Sequence, residues 1–122
     1  METPFDRAAG MDCCLWPADW IEKATGIDPA ASLRGTYRNG AGALRQIRRF
    51  GDFVTMWRVC MALSGFVTAR RPVFGDVGVV QDAAGQTVAA IRLDEQWAAK
   101  GAGGLVMEDF AVIVAWSIAP RG

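Results

Sequence analysis

Asp12 and Cys13 stand in the stretch MDCCLWPADW, where an acid precedes two thiols and a tryptophan-rich run of helical character follows. Three kinds of chemistry are open to a cysteine in that setting: nucleophilic attack, metal ligation, and packing as a small apolar side chain. A thiol in the first turn of a helix feels the partial positive charge of the unpaired amides, which favours the thiolate and so a nucleophile. The carboxylate of Asp12 acts in the opposite direction, because a neighbouring negative charge raises a thiol pKa. Neighbouring cysteines chelate one ion poorly, Cys60 stands far off, and the 122 residues contain no histidine, so no metal site is expected. Burial as a small hydrophobe is the usual fate of a free cysteine and stays open for Cys13 and Cys14.

A second constellation is cationic. Between positions 34 and 71 there are eight arginines and the single acid Asp52, a net +7, flanked by −4 before and −3 after; the whole chain is neutral. Arg34, Arg38, Arg45, Arg48 and Arg49 form its first cluster, and Arg58, Arg70 and Arg71 complete it. Guanidinium suits three tasks: gripping phosphates beside Tyr37 and Trp57, docking on an acidic protein surface, or solvating the outer face of helices. Docking and solvation rank ahead of nucleic-acid binding. Of the glycine-rich pieces, NGAG precedes a helix and KGAGG precedes a strand-like run, and neither completes a phosphate-loop or dinucleotide fingerprint. They read as loops, and no cofactor is expected.

The elements that must position these residues follow from periodicity. Asp12 is a plausible N-cap for a helix from about Cys13 to Thr25, with Leu15, Trp16, Trp20 and Ala24 near one face and Gly26 as the stop. Pro17 fits only near the first turn, which sets the cysteines at the helix start. DPAASLRGTY offers a short helical turn with Asp28 as cap and Pro29 in the first position. NGAGALRQIRRFG reads as a further helix, with Leu44, Ile47 and Phe50 on one side and Arg45, Arg48 and Arg49 mostly on the other. In DFVTMWRVCMALSG the residues Phe53, Met56, Trp57, Cys60, Met61 and Ser64 recur as a core-facing helical stripe. The period then changes: VFGDVGVVQ and TVAAIRL are β-rich runs joined by the turn-like DAAGQ, a hairpin pattern. KGAGG reads as a loop, LVM as a short strand and FAVIVAWSI as a buried strand.

Helices first and strands afterwards define an α+β fold, with N-terminal helices packed on a small antiparallel sheet made by the C-terminal half. A chain of 122 residues makes a single domain, 1–122, and can bury about two-thirds of its unfolded surface. The apolar share of 52% excludes a disordered chain and favours a partner for surplus apolar surface. Three cysteines, an odd number without C-x-x-C spacing, fit a reduced compartment better than a disulfide framework. With Glu2 and Asp6 and no apolar h-region at the N-terminus no signal peptide is visible, and the apolar run Phe110–Ala119 is about half the length of a membrane span. A soluble protein made in the cytoplasm is expected.

The order of Asp12–Cys13 at a helix start, further helices, then Gly75–Asp76–Val77 and TVAAIRLD resembles the NlpC-like cell-wall peptidases, small papain-like cysteine enzymes that cut peptidoglycan stem peptides. In that family an aspartate–cysteine pair opens the first core helix, a G-D-hydrophobic strand starts the sheet, and the next strand begins with the catalytic histidine. The signature DCCLWPADWI, with Gly26, Asp28, Pro29 and Ala30 and then Arg34, Gly35 and Tyr37, is similar more closely to a set of small phage and prophage proteins from tail-assembly regions. The likeness covers nearly the whole chain. It implies a virion component of the tail tip or baseplate, made in the host cytoplasm, with a hub or distal tail protein as partner and peptidoglycan as a further ligand. It implies Cys13 as nucleophile and Asp12 beside it. Laying TVAAIRLD on the family's second strand puts Thr87 where the histidine should stand, with Gln86 before it. A cysteine without a proton acceptor loses general-base assistance of about a hundred- to ten-thousand-fold. The expectation is therefore an inherited site that no longer cuts, on a domain that works by docking. The alternative is an active peptidase or amidase with unusual residues.

Overall fold

A computed structural model of the chain describes residues 16–31, 45, 47–101 and 104–118. The first helix, α1 (residues 16–25), ends where Gly26 takes the left-handed conformation, φ +80°, and returns its N–H to the Glu22 carbonyl at 2.8 Å. Its buried residues are Pro17, Ala18 and Ile21, while Trp16 and Trp20 are half-buried and Ala24 is exposed. The face expected from the bulky residues is thus rotated: three- and four-residue spacing also links Pro17, Ala18 and Ile21, and this narrower stripe fits against the sheet. The turn after α1 is held by the Asp28 carboxylate, which accepts the Ala30 N–H at 3.0 Å.

Before the second long helix, residues 45 and 47–49 are helical; Ile47 is half-buried and Arg45, Arg48 and Arg49 stand in solvent, as the pattern predicts. Helix α2 (Phe53–Leu63) starts at Asp52, whose side chain accepts the Thr55 N–H at 2.7 Å, an N-cap bond. The Thr55 amide, and after it the Thr55 hydroxyl, hold the Asp52 carboxyl below its ordinary pKa. Neither glycine nor proline interrupts the helix. The stripe Met56, Trp57, Cys60 and Met61 is buried, as its spacing requires. Termination follows the Schellman pattern: Gly65, φ +86°, donates to Ala62 O at 3.1 Å, and Phe66 donates to Met61 O at 3.0 Å.

The sheet has five antiparallel strands: β1 (Val77–Gln81), β2 (Thr87–Arg92), β3 (Trp97–Gly101), β4 (Gly104–Glu108) and β5 (Ala111–Trp116), in the order β4-β3-β2-β1-β5. The hairpin between β1 and β2 turns on Asp82, whose carboxylate accepts the N–H groups of Ala84 and Gln86, both at 2.9 Å, with Gly85 at φ +84°. One expectation is corrected here. Lys100 and Gly101 of the glycine-rich KGAGG belong to β3, and Gly104 opens β4, so three residues expected in a loop are strand, and the strand begins at Trp97, in a stretch the pattern left unassigned. The run FAVIVAWSI forms β5 only from Ala111 to Trp116, and its first three residues are exposed.

Alternation splits the sheet into two faces. Val77, Val79, Ala89, Val114 and Trp116 meet Ala18 and Ile21 of α1 and the buried stripe of α2 in one cluster. The rings of Trp57 and Trp116 stack there, centroids 6.1 Å apart and 29° between planes. The opposite face carries a smaller cluster of Val80, Ala90, Trp97, Ala99, Phe110 and Ala115. Trp97 is completely buried, lying over Gly78, where an added Cβ would come within 2.9 Å of its ring. Burying an indole removes about 150–250 Å² from water, an upper bound of about 4–6 kcal/mol. Small residues at Gly78, Ala90 and Ala115 make the floor for it.

Candidate functional site

Thr87 is the first residue of β2, half-buried and paired across to Gln81. By alternation it shares its side of β2 with Ala89 and Ile91, the side that packs on the helices. Gln86 is exposed and committed to the hairpin, its N–H on Asp82 and its carbonyl accepting the Asp82 N–H at 3.0 Å. Asp12 and Cys13 lie outside the described residues, as do Cys14, Arg34 and Arg38. The third thiol, Cys60, is buried inside α2; burial, and then the negative charge of Asp28, push its pKa up and disfavour the thiolate. Cys60 is core.

The G-D pair that opens the sheet is bound more tightly than its composition suggests. The Trp20 indole donates from α1 to the Gly75 carbonyl at 2.7 Å, and the Gly75 N–H donates to Arg92 O at 2.8 Å. Asp76 is 2% exposed. Its carboxylate accepts the Val73 N–H at 2.9 Å and the Ile118 N–H at 3.1 Å, and its carbonyl accepts the Arg92 N–H at 2.7 Å. One side chain thus ties the turn before β1 to the segment after β5. A carboxylate so engaged is an anchor and is not placed to act as a base. Reading the sequence missed this anchor; the available signal was an acid set directly before a run of valines, where an unpaired charge could not be buried.

The described arginines of the basic segment behave uniformly. Arg45, Arg48, Arg49, Arg58, Arg70 and Arg71 are exposed, and none forms an ion pair among the described residues. Arg92 differs: its guanidinium lies 5.6 Å from the Trp97 ring centroid and donates to Asp94 O at 3.2 Å. The buried Arg92 Nε and the indole nitrogens of Trp97 and Trp57 have no acceptor. No group of three potential metal ligands occurs among the described residues, and no helix there is long and apolar enough to cross a membrane.

The structure defines a small α+β protein, one five-stranded antiparallel sheet with helices on one face. The chain belongs to the family described as Domain of unknown function (DUF6950), whose sequence model matches residues 1–118. No curated protein and no solved structure matches it.

Proposed function

We propose that the chain is a structural or docking component of a phage, or phage-derived, tail tip, built on an NlpC-like fold that no longer cuts peptidoglycan. The observation that carries this reading is Thr87. It heads β2 on the helix-covered side, the position that the resemblance gives to the catalytic histidine, and the 122 residues offer no histidine to replace it. Threonine cannot take a proton from a thiol near neutral pH, so Cys13 in the nucleophile position lacks its base. The exposed arginines, free of ion pairs among the described residues, support docking as the remaining role. A hub or distal tail protein with an acidic face is the partner this implies, in the virion tail.

The purified chain is expected to release no fragments from peptidoglycan or stem peptides. Activity above background that Cys13→Ala abolishes would establish the rival reading, an active cysteine peptidase or amidase. Reversing Arg45, Arg48 and Arg49 together to glutamate is expected to block incorporation into the particle while the domain still folds. Truncating one paired interface charge costs about 2–5 kcal/mol, so a triple reversal has a large effect. Normal incorporation would move the docking surface elsewhere.

A further inference from the structure

A type II turn presents an aromatic ring to solvent at the foot of β1. The Asp76 N–H donates to Val73 O at 2.9 Å, and Gly75, third of the four residues, is at φ +93°, as that turn requires. Phe74 at its corner is 65% exposed and Val73 beside it 59%. The turn has little freedom. The Asp76 carboxylate accepts the Val73 N–H, Arg92 O accepts the Gly75 N–H, and Gly75 O accepts the Trp20 indole N–H. Charges of opposite sign flank it. On one side the Gly75–Arg92 bond sets it against the end of β2, which leads into the β2–β3 turn with the exposed Asp94 and Glu95. On the other side Val67–Ala69 runs along the outer edge of β5, through a Thr68–Trp116 bridge and an Ala69 N–H to Ala115 O bond of 2.8 Å. From there the chain returns to Val73 through Arg70 and Arg71, both exposed. Strand β1 lies between β2 and β5, so acids, Phe74 and arginines follow one another along one rim of the sheet. None of the four charges forms an ion pair among the described residues, and Arg92 is drawn over Trp97 instead.

We infer that this rim is the contact of a two-fold symmetric dimer, in which Phe74 meets Phe74, and Arg70 and Arg71 of each copy meet Asp94 and Glu95 of the other. A second copy turned by a half-rotation about an axis crossing the rim at Phe74 sets its arginines over the acids of the first, and its acids over the arginines. The order acid, aromatic, base is thus self-complementary, and both flanks pair opposite signs. An anionic lipid surface or a wholly acidic protein face would attract the arginines and repel Asp94 and Glu95. A partner with both signs in reverse order uses the whole rim, and a second copy supplies that order. An aromatic ring beside arginines has the composition of an interface anchor, and a turn already fixed loses little freedom on binding. The area around one turn places the contact in the transient class, below about 1,200 Å² in total, with dissociation at about 10–100 μM. The contact leaves Arg45, Arg48 and Arg49 free, and it stands whether or not the domain belongs to a tail.

Sedimentation velocity of the full chain over a range of concentrations tests it. Wild type is expected to pass from monomer to dimer, to stop there, and to dissociate at high salt. Arg70→Glu with Arg71→Glu, and separately Asp94→Lys with Glu95→Lys, are each expected to weaken the dimer by about a hundredfold or more, since like charges then meet at both flanks. An equimolar mixture of the two variants is expected to form a heterodimer, because each flank again pairs opposite signs. Phe74→Ser is expected to weaken the dimer by at least about tenfold. All five side chains are exposed, so the variants fold; far-UV circular dichroism checks this, and Arg70→Gln with Arg71→Gln or Asp94→Asn with Glu95→Gln replaces any that fails. Wild type that stays monomeric at millimolar concentration overturns the inference, and if it then sediments with phosphatidylglycerol vesicles the rim binds lipid. A dimer indifferent to both swaps, or a mixture of the variants that remains monomeric, overturns it too.

Discussion

The indole of Trp20 donates to the carbonyl of Gly75 at 2.7 Å, across 55 positions of sequence, and fastens α1 to the turn that opens the sheet. Gly75 is at φ +93°, and a Cβ there would sit 3.5 Å from Trp20 Cζ2, an ordinary contact. The requirement for glycine is therefore a matter of backbone conformation, since space is available. Trp20→Phe keeps much of the packing and removes the donor, and is expected to cost about 1–3 kcal/mol in urea denaturation. Gly75→Ala is expected to cost about 1–2 kcal/mol through the left-handed backbone alone. An unchanged midpoint in Trp20→Phe would mean that the bond contributes nothing.

Asp76→Ala leaves the N–H groups of Val73 and Ile118 without acceptors, the first in a part-buried and the second in a buried site. Each orphaned amide costs about 1–3 kcal/mol, so a loss of roughly 2–6 kcal/mol is expected. Asp76→Asn keeps one acceptor oxygen and turns an amide donor towards the other N–H, so its loss should be intermediate. Hydrogen exchange at Val73 and Ile118 should accelerate in both variants. Equal stability of the alanine variant and wild type would show that Asp76 is no anchor.

Gly78 is closed in by Trp97 Cη2 and by the carbonyl oxygen of Val114, both 2.9 Å from an added Cβ. The ring can shift, whereas the carbonyl belongs to the β1–β5 ladder and cannot. Gly78→Ala is expected to destabilise by about 1–3 kcal/mol and to change the near-UV signal of Trp97. Placing it in a Trp97→Leu background should recover only part of that cost, because the backbone clash remains. Full recovery would assign the whole cost to the indole.

Helix α2 and the β1–β2 hairpin were legible because their information is local: a stripe at helical spacing, and β-rich runs on either side of an Asp-Ala-Ala-Gly turn. Strand β3 was not. Trp97–Gly101 has an Ala-rich, non-alternating pattern, and it is a strand because Trp97 finds a floor at Gly78, Ala90 and Ala115, far off in sequence. The buried face of α1 was misjudged by ranking tryptophans above small residues. Small residues decide where a helix approaches a sheet closely. Half of β5 is exposed because it is a sheet edge, a property of topology that no apolar run reveals. Thr87 was expected to begin a strand, and it does, as the first residue of β2. The anchor Asp76 was not legible, because one of its partners, Ile118, is 42 residues away.

Cys60 gives the fold a pH dependence with a definite sign. Its pKa is raised in the folded chain, by burial first and the charge of Asp28 second, so the folded state favours the neutral thiol. The corresponding stability is fully present below the unfolded thiol pKa, about 8.5, and is lost as pH rises towards the folded value. Between about pH 8 and 10 wild type should lose stability more steeply than Cys60→Ala, as read by denaturant midpoints at each pH. Parallel profiles would show that the thiol does not contribute.

Thr87→His tests the proposed history of the site directly. Thr87 is half-buried at the head of β2 on the helix-covered side, so an imidazole there would point to the region that the resemblance assigns to Cys13. An imidazolium beside a thiol favours the thiolate, which lowers the thiol pKa and speeds alkylation at mildly acidic pH. In a Cys14→Ser background only Cys13 should react, because Cys60 is buried with its thiolate disfavoured. The rate of alkylation against pH is then expected to rise at lower pH in Thr87→His than in the parent, with Thr87→Gln behaving like the parent. Peptide cleavage is not required, because a working peptidase also needs substrate contacts and an oxyanion site. An alkylation profile unmoved by Thr87→His, in a variant that folds as the parent does, would separate Thr87 from Cys13. The reading of this chain as a silenced NlpC-like domain would then lose its foundation.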